Sequence, residues 1–193
     1  DLSKRWKHRS NQFESSKIEI AKQWTDVLNG ESDLLRGSDF EQWPPAGTTT
    51  SGGWMETNWK QSAPYNNHCP ADPFSGVHCI AGCPSIAIGQ IIHYNKAVHQ
   101  TTFTDADDYY HNYSGNSYWI DNDYETFGFL SFPQINEYLD SISVRYHNDI
   151  PLSIDEMAAL VFACGAASKS VYSQSMSGTF GVNYAFQALQ KFG

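Results

Sequence analysis

Long apolar runs and basic residues are both scarce in this sequence. No stretch of about 18 consecutive apolar residues occurs, and a membrane-spanning helix needs roughly that length. The formal net charge is −9, and an acidic chain is a poor match for the phosphate backbone of nucleic acids. The sequence therefore predicts neither a membrane-spanning helix nor a nucleic-acid partner.

The few basic residues are concentrated at the start of the chain. Residues 1–24 carry a net charge of +3, whereas residues 25–193 carry −12. A basic segment beside an acidic body can dock by electrostatic complementarity, or it can be a solvated tail. The charge pattern leaves both interpretations open.

Cysteine is sparse as well, with four residues in the chain. An even number permits disulfides without requiring them. Cys69 and Cys79 flank a short polar loop and could pair in an oxidising compartment. Cys164 lies in an apolar helical run, which predicts a packed core thiol. Cys83 has no evident partner in this scheme.

The length and composition predict one sizeable core, with room for an appendage. The chain has 193 residues, of which 40% are apolar and 15% aromatic. It begins with Asp1 and shows no signal peptide, which we interpret as a processed or cut chain. Residues 3–28 have helical spacing, and residues 29–53 are rich in Gly, Ser, Pro and Thr. We therefore expect a helix plus linker over residues 1–45 and a main domain over residues 46–193.

Helices dominate the expected structure of the main domain. Capping boxes at Ser131 and Ser153 mark two helix starts, and these helices are expected to end near residue 140 and at Ala167. The other expected elements are a central, buried helix over 83–96, irregular structure over 100–130 with one short strand near 118–120, a short strand over 144–147, a loop over 172–181 and a last helix over 182–192.

Cys83 stands where the first of these helices should begin. Pro84 suits the first helical turn, because its missing N–H would have no intrahelical partner there. A thiol at a helix N-terminus faces unpaired N–H groups and the positive end of the helix dipole, which both favour the thiolate. The alternative is a packed core residue, since free cysteine is among the most buried residue types.

Three motifs occur in one order around Cys83 and extend towards the end of the chain. They are Trp59-x-Gln61-x-x-Pro64-Tyr65-Asn66-x-x-Cys69-Pro70, then Gly82-Cys83, then Ala87-x-Gly89-Gln90-Ile91-Ile92-x-Tyr94. Together with Met157-Ala158-x-Leu160, Cys164-Gly165, Ser177-Gly178 and Phe192-Gly193, they closely resemble the streptopain family of papain-like cysteine peptidases over roughly residues 48–193. The resemblance implies an α+β, papain-like fold, of which this chain matches mainly the helical lobe.

The resemblance assigns roles to individual residues. Cys83 matches the nucleophile, which attacks the scissile carbonyl and forms a thioester acyl-enzyme. Gln61 matches the side-chain amide that donates to the oxyanion, with the N–H of Cys83 as second donor; a turn residue is the alternative for Gln61. Ser177 and Gly178, together with Gly82, match the substrate-binding residues beside the scissile bond, and the alternative for the Ser-Gly loop is a plain linker.

A cysteine peptidase also needs a base, usually an imidazole, that holds the thiolate and protonates the leaving amine. In the family this histidine lies in a Gly-His-Ala-like strand followed by a Trp-Gly-Trp segment, and neither occurs in this sequence. His93 is ten residues into the helix of Cys83, about 15 Å away, and His68 and His78 have no role in the family pattern. The remaining histidines are expected at the surface, and they are His8, His99, His111 and His147.

The chain therefore resembles a helical lobe without the β-barrel lobe that carries the histidine. A second chain of a nicked enzyme could supply that lobe, the chain could be a fragment, or it could be a single-lobe derivative that binds without cutting. We favour the two-chain arrangement, because nicking concentrates in exposed loops between structural units. Residues 1–45 are then the end of a zymogen pro-segment or an extension of the mature enzyme.

The hypothesis from the sequence is a secreted or periplasmic cysteine endopeptidase that acts on peptide or protein substrates and uses no cofactor or metal. Two other classes stay open. His68-Cys69 and His78-Cys79 could bind zinc in a structural module, although their spacing departs from the common Cys-x2-Cys pattern. The aromatic, acidic residues 100–130 could form the surface of a non-catalytic binding domain, in which Cys83 would be an ordinary thiol.

Overall fold

The computed structural model describes residues 55–98 and 100–192, which lie in one structural unit, Met55–Gly193. The helix expected over residues 3–28, the boundary expected between residues 45 and 46, and two of the histidines, His8 and His99, lie outside the described residues.

The described residues are mainly helical, with one small two-stranded sheet. In chain order the elements are α1 (Cys83–Asn95), a 3-10 turn (Asp105–Asp107), β1 (Tyr109–Tyr113), β2 (Asn116–Ile120), α2 (Tyr124–Phe127), α3 (Phe132–His147), α4 (Ile154–Ala167) and α5 (Val182–Phe192). No helix in this part of the chain combines the length and the hydropathy that crossing a membrane requires.

Helix α4 is the centre of the core. Every residue from Ala158 to Ala166 is buried, and α1, α3 and α5 all pack against this helix. Its start is fixed by the predicted capping box, in which the Ser153 hydroxyl accepts from the N–H of Glu156 and the Glu156 carboxylate accepts from the N–H of Ser153. Cys164 is fully buried, which confirms the prediction of a core thiol.

Helix α1 is less central than its apolar sequence predicted. Ile88 and Ile92 are buried, but Ile91 and Tyr94 on the other face are exposed. The close packing against α4 occurs at Gly89, where an added Cβ would lie 3.5 Å from a side-chain carbon of Val161.

Helix α3 is longer than predicted, and the short strand expected over residues 144–147 is wrong. The helix continues to His147, because its buried residues keep helical spacing through the whole segment. These residues are Ile135, Leu139, Ile142 and Tyr146.

Residues 109–120 form a β-hairpin, where the sequence predicted irregular structure with a single strand near residues 118–120. The strands are antiparallel, with Tyr109 opposite Ile120 and Tyr113 opposite Asn116. The period-two alternation of a strand places His111 on the inner face, where it is fully buried. The prediction that His111 lies at the surface is therefore wrong, whereas His147 is exposed as expected.

Candidate active site

The N-terminus of α1 is open to solvent and carries the candidate nucleophile. Cys83 is exposed, so the packed-core interpretation of this residue is wrong. Gly82 occupies the N-cap position, no side chain caps the helix, and the first turn contains no acidic residue. Pro84 lies in the first turn as predicted. The thiol therefore stands beside backbone N–H groups that no capping side chain occupies.

Gln61 is brought to the same end of α1 by backbone contacts. The N–H of Ala81, two residues before Cys83, donates to the carbonyl of Gln61 at 2.8 Å. The N–H of Trp59 donates to the side chain of Gln90 on α1 at 3.3 Å, and the Trp59 ring is buried. The loop is thus attached both before and within α1; the Gln61 side chain is exposed and does not line the cavity beside Cys83.

A second segment, residues 171–178, forms a tight loop beside Cys83. Val171 and Gly178 exchange two backbone hydrogen bonds, with N–O distances of 2.8 and 3.0 Å. The Ser177 hydroxyl accepts from the N–H of Ser173 at 2.9 Å, which closes the loop internally. The carbonyl of Ser173 also accepts from the N–H of Ile80 at 3.2 Å, so the loop is fixed to the residues that lead into α1.

Gly82 is the point of closest approach between this loop and α1. A Cβ built on Gly82 would lie 2.9 Å from the carbonyl carbon and oxygen of Ser177 and 3.1 Å from the N of Gly178. Its φ of +86° is a backbone conformation that side chains with a Cβ rarely adopt. Glycine is therefore required here by both space and conformation.

A cavity of about 250 Å³ opens between the loop and the start of α1. Its lining is Cys83, Pro84, Tyr113, Val171, Met176, Ser177, Gly178, Thr179 and Phe180. The structure thus brings together Cys83, Ser177 and Gly178 of the predicted site. The sequence did not identify Tyr113 or Val171, because Tyr113 enters the cavity from the hairpin and Val171 from its pairing with Gly178.

The described histidines are directed towards other groups. His68 Nε2 lies 2.8 Å from Asp155 Oδ1, His78 Nδ1 lies 2.5 Å from the carbonyl oxygen of Cys69, and His93 Nδ1 lies 2.8 Å from the Tyr146 hydroxyl. Burial, and then the nearby Lys96, lower the pKa of His93. Within residues 55–98 and 100–192, no hydrogen bond joins an imidazole to Cys83.

The zinc alternative finds no support in the geometry. The described part of the chain contains no group of three or more potential metal-binding side chains. Cys69 and Cys79 are buried free thiols rather than a disulfide. Burial raises the pKa of both thiols, to about 11 for Cys79.

A larger cavity of about 490 Å³ lies along α3 and α4, and Glu156 in its lining is hydrogen-bonded to residues of both helices and the turn between them. Burial alone would raise the pKa of Glu156, but hydrogen bonds from Ser153, Ser141 and Arg145 lower it to about 2. These contacts join the end of α3 to the start of α4. The carboxylate therefore stabilises the helix packing that supports α1.

Comparison with known proteins identifies the family. No curated protein and no solved structure matches the chain. The profile of the Peptidase C10 family matches residues 59–193, which is more than two thirds of the chain and includes both Gln61 and Cys83. Membership implies a papain-like fold, cysteine peptidase activity and protein substrates, and such peptidases are typically secreted. The chain therefore belongs to the Peptidase C10, or streptopain, family.

Proposed function

We propose that this chain supplies the nucleophile of a secreted cysteine endopeptidase, with Cys83 forming a thioester acyl-enzyme with the substrate. The observation that carries the proposal is the exposed Cys83 at an uncapped helix N-terminus, beside a cavity that it helps to line. The thiolate attacks the scissile carbonyl, the amine leaves with a proton, and water then hydrolyses the thioester.

Gln61 is the proposed oxyanion donor, together with the N–H of Cys83. The hydrogen bond from the N–H of Ala81 to the carbonyl of Gln61 supports this role, because Ala81 is only two residues before the nucleophile and holds the Gln61 backbone next to this segment. A fixed donor at a developing oxyanion contributes about 3–4 kcal/mol to the stability of the transition state. In the complete enzyme, Gln61→Ala is therefore expected to lower kcat by about 100- to 1,000-fold.

The cavity is proposed to receive the substrate side chain that precedes the scissile bond. Ser177 and Gly178 line it, and Val171, Met176 and Phe180 make much of its lining apolar. An apolar side chain is the occupant that such walls stabilise.

The base is proposed to be a histidine on a β-barrel lobe that belongs to a second chain. Support comes from the other partners of His68, His78 and His93 and from the requirement of this chemistry for an imidazole. In this arrangement residues 46–193 are the helical lobe, and residues 1–45 belong to a pro-segment or an N-terminal extension. The proposed mechanism uses no metal or cofactor.

The proposal is tested by the rate of Cys83 alkylation with iodoacetamide against pH, with the labelled peptide identified by mass. Fast labelling that persists down to about pH 5–6 is expected, because an imidazolium partner holds the thiolate. The buried thiols of Cys69, Cys79 and Cys164 serve as internal controls that should stay unlabelled in the folded protein. Labelling that rises only near about pH 8–9 would refute the proposed ion pair.

The second candidate is a binding protein built on a peptidase lobe. It is favoured by an exposed aromatic pair on the outer face of the hairpin, Tyr110 and Trp119, whose ring centroids are 5.4 Å apart. Exposed aromatic rings are common at recognition surfaces. Labelling of Cys83 only at alkaline pH would select this function over the peptidase.

A further inference from the structure

His111 is fully buried at the junction between the hairpin and the loop beside Cys83. Its ring is stacked on Tyr118 of β2, with a centroid distance of 4.1 Å, and the Tyr172 ring lies nearly parallel to it at a centroid distance of 6.2 Å. Packing alone does not require a histidine here, because a phenyl ring would fill the same space; the imidazole adds hydrogen bonds to Asn116 and Tyr172.

The hydrogen bonds of His111 require one neutral tautomer. The N–H of Tyr172 lies 2.8 Å from Nε2 and can only donate, so Nε2 accepts and carries no proton. The ring proton is then on Nδ1, which donates to the carbonyl of Asn116 at 3.2 Å. A second proton, on Nε2, would donate to the Tyr172 carbonyl, also at 3.2 Å, and Nε2 could then no longer accept from the Tyr172 N–H.

The surroundings of His111 disfavour the charged ring. Tyr118 on β2 and Tyr172 on the loop stack with its ring, Tyr109 lies on the same face of its own strand, and the buried thiol of Cys69 interacts with all three phenols. Burial lowers the pKa of His111; backbone hydrogen bonds, including those to Asn116 and Tyr172, oppose burial in part, and no carboxylate in the described part of the chain adds to that opposition. Protonation in acid therefore places a charge without a counter-ion in the core and removes the acceptor of the Tyr172 N–H.

Tyr172 is the central residue of the loop attachments. On one side Val171 is paired with Gly178, which lines the cavity, and on the other Ser173 accepts from Ile80, three residues before Cys83. Losing the bond between Tyr172 and His111 thus releases the residue that lies between both attachments.

We propose that His111 is a positioning residue for the cavity beside Cys83, and that its protonation releases residues 171–178 and weakens the binding of peptides in acid. The proposal rests on the proposed function, since it takes the cavity to be a peptide-binding site. This pH dependence would confine peptide binding to pH values at which His111 is neutral.

The experiment measures two second-order rates of Cys83 labelling in the full chain with its natural partners. One reagent is iodoacetamide, and the other is a tripeptide chloromethyl ketone with an apolar residue placed to enter the cavity. Both react with the thiolate. The rate with the peptide reagent divided by the rate with iodoacetamide, called the ratio below, therefore reports peptide recognition independently of the ionisation of Cys83. His111→Gln keeps an acceptor for the Tyr172 N–H but does not titrate, and His111→Phe keeps the aromatic stack but has no acceptor.

In the natural protein, the ratio is expected to fall about tenfold between about pH 8 and about pH 4, the effect of losing one hydrogen bond. His111→Gln should give a ratio that is constant over this range, and His111→Phe a ratio about tenfold lower throughout. A ratio that depends on pH equally in the natural protein and in His111→Gln overturns the proposal.

Hydrogen exchange at the Tyr172 amide separates this proposal from the proposed function. The amide should lose protection in acid in the natural protein and keep it in His111→Gln at the same pH. If the peptide reagent labels Cys83 no faster than iodoacetamide in any variant, the peptidase proposal fails. The exchange pattern would still support the proposed effect of His111 protonation on residues 171–178. Equal protection in both proteins at acid pH overturns it.

Discussion

Replacing Gly82 by alanine tests whether the loop and the nucleophile depend on close backbone contact. The added Cβ would lie 2.9 Å from two atoms of Ser177 and 3.1 Å from the N of Gly178, and these are backbone atoms that no rotamer change can move away. Relief requires the loop to shift away from α1, which is the direction that opens the cavity.

The expected cost combines two effects. A φ of +86° with ψ of 140° is almost restricted to glycine, and a residue with a Cβ pays about 1–3 kcal/mol there. Forcing an extra carbon into a packed contact adds about 1–3 kcal/mol. Gly82→Ala is therefore expected to lower the free energy of unfolding by about 2–6 kcal/mol.

Gly76→Ala is the matched control, because Gly76 has a φ of +70° but no atom within 4 Å of an added Cβ. It should lower the free energy of unfolding by about 1–2 kcal/mol, which is the cost of the left-handed backbone conformation alone. Urea unfolding measures both variants, and the iodoacetamide and peptide reagents measure the site. Gly82→Ala should lose the preference for the peptide reagent and Gly76→Ala should keep it. A Gly82→Ala protein that is as stable and selective as the control would show that the contact has no energetic role.

Two further predictions concern carboxylates that join the helices. Glu156→Gln should lower the free energy of unfolding by about 2–3 kcal/mol at neutral pH, since a pKa lowered from 4.5 to about 2 favours the ionised folded state by about 3 kcal/mol. The difference should shrink as pH falls from 4.5 towards 2, because the carboxylate of the unfolded chain becomes protonated in this range while that of the folded protein is still ionised. Urea unfolding at neutral pH and near pH 2 checks this. Glu137→Gln, at an exposed site on α3, should change stability by less than about 0.5 kcal/mol. Asp155→Asn removes a largely exposed carboxylate in the first turn of α4, which accepts from the Tyr138 hydroxyl and lies 2.8 Å from His68 Nε2. It should cost less than about 1 kcal/mol, with a loss that decreases in high salt, because the helix N-terminus favours the negative charge only weakly at an exposed site. A larger, salt-independent loss in unfolding experiments would contradict this.

Local signals in the sequence predicted the helices well. The capping boxes at Ser131 and Ser153 begin helices where expected, and the last helix covers residues 182–192. Each signal is contained within a few neighbouring residues, which is why no knowledge of the tertiary structure was needed. The position of Cys83 at the start of a helix was predictable for the same reason.

The hairpin and the cavity depended on contacts between distant residues. The many Tyr, Asn and Ser residues of 109–120 conceal the strand alternation, and Ser114-Gly115 forms the turn with both residues at positive φ. Tyr113 and Val171 meet at one cavity only after the hairpin packs against the loop. The family resemblance named Ser177 and Gly178, but it gave no reason for the glycine at 82. The roles of these residues in catalysis stay predictions.

The loop beside Cys83 is fixed mainly through its backbone. The pairing of Val171 with Gly178 and the bond from Ile80 to Ser173 do not depend on the side chains of Gln174, Ser175 or Met176, which are exposed. A mutation at Met176, which lines the cavity, can therefore change one wall without breaking these backbone hydrogen bonds. Such a separation makes substrate preference free to diverge between homologues, or in directed evolution, at little risk to folding.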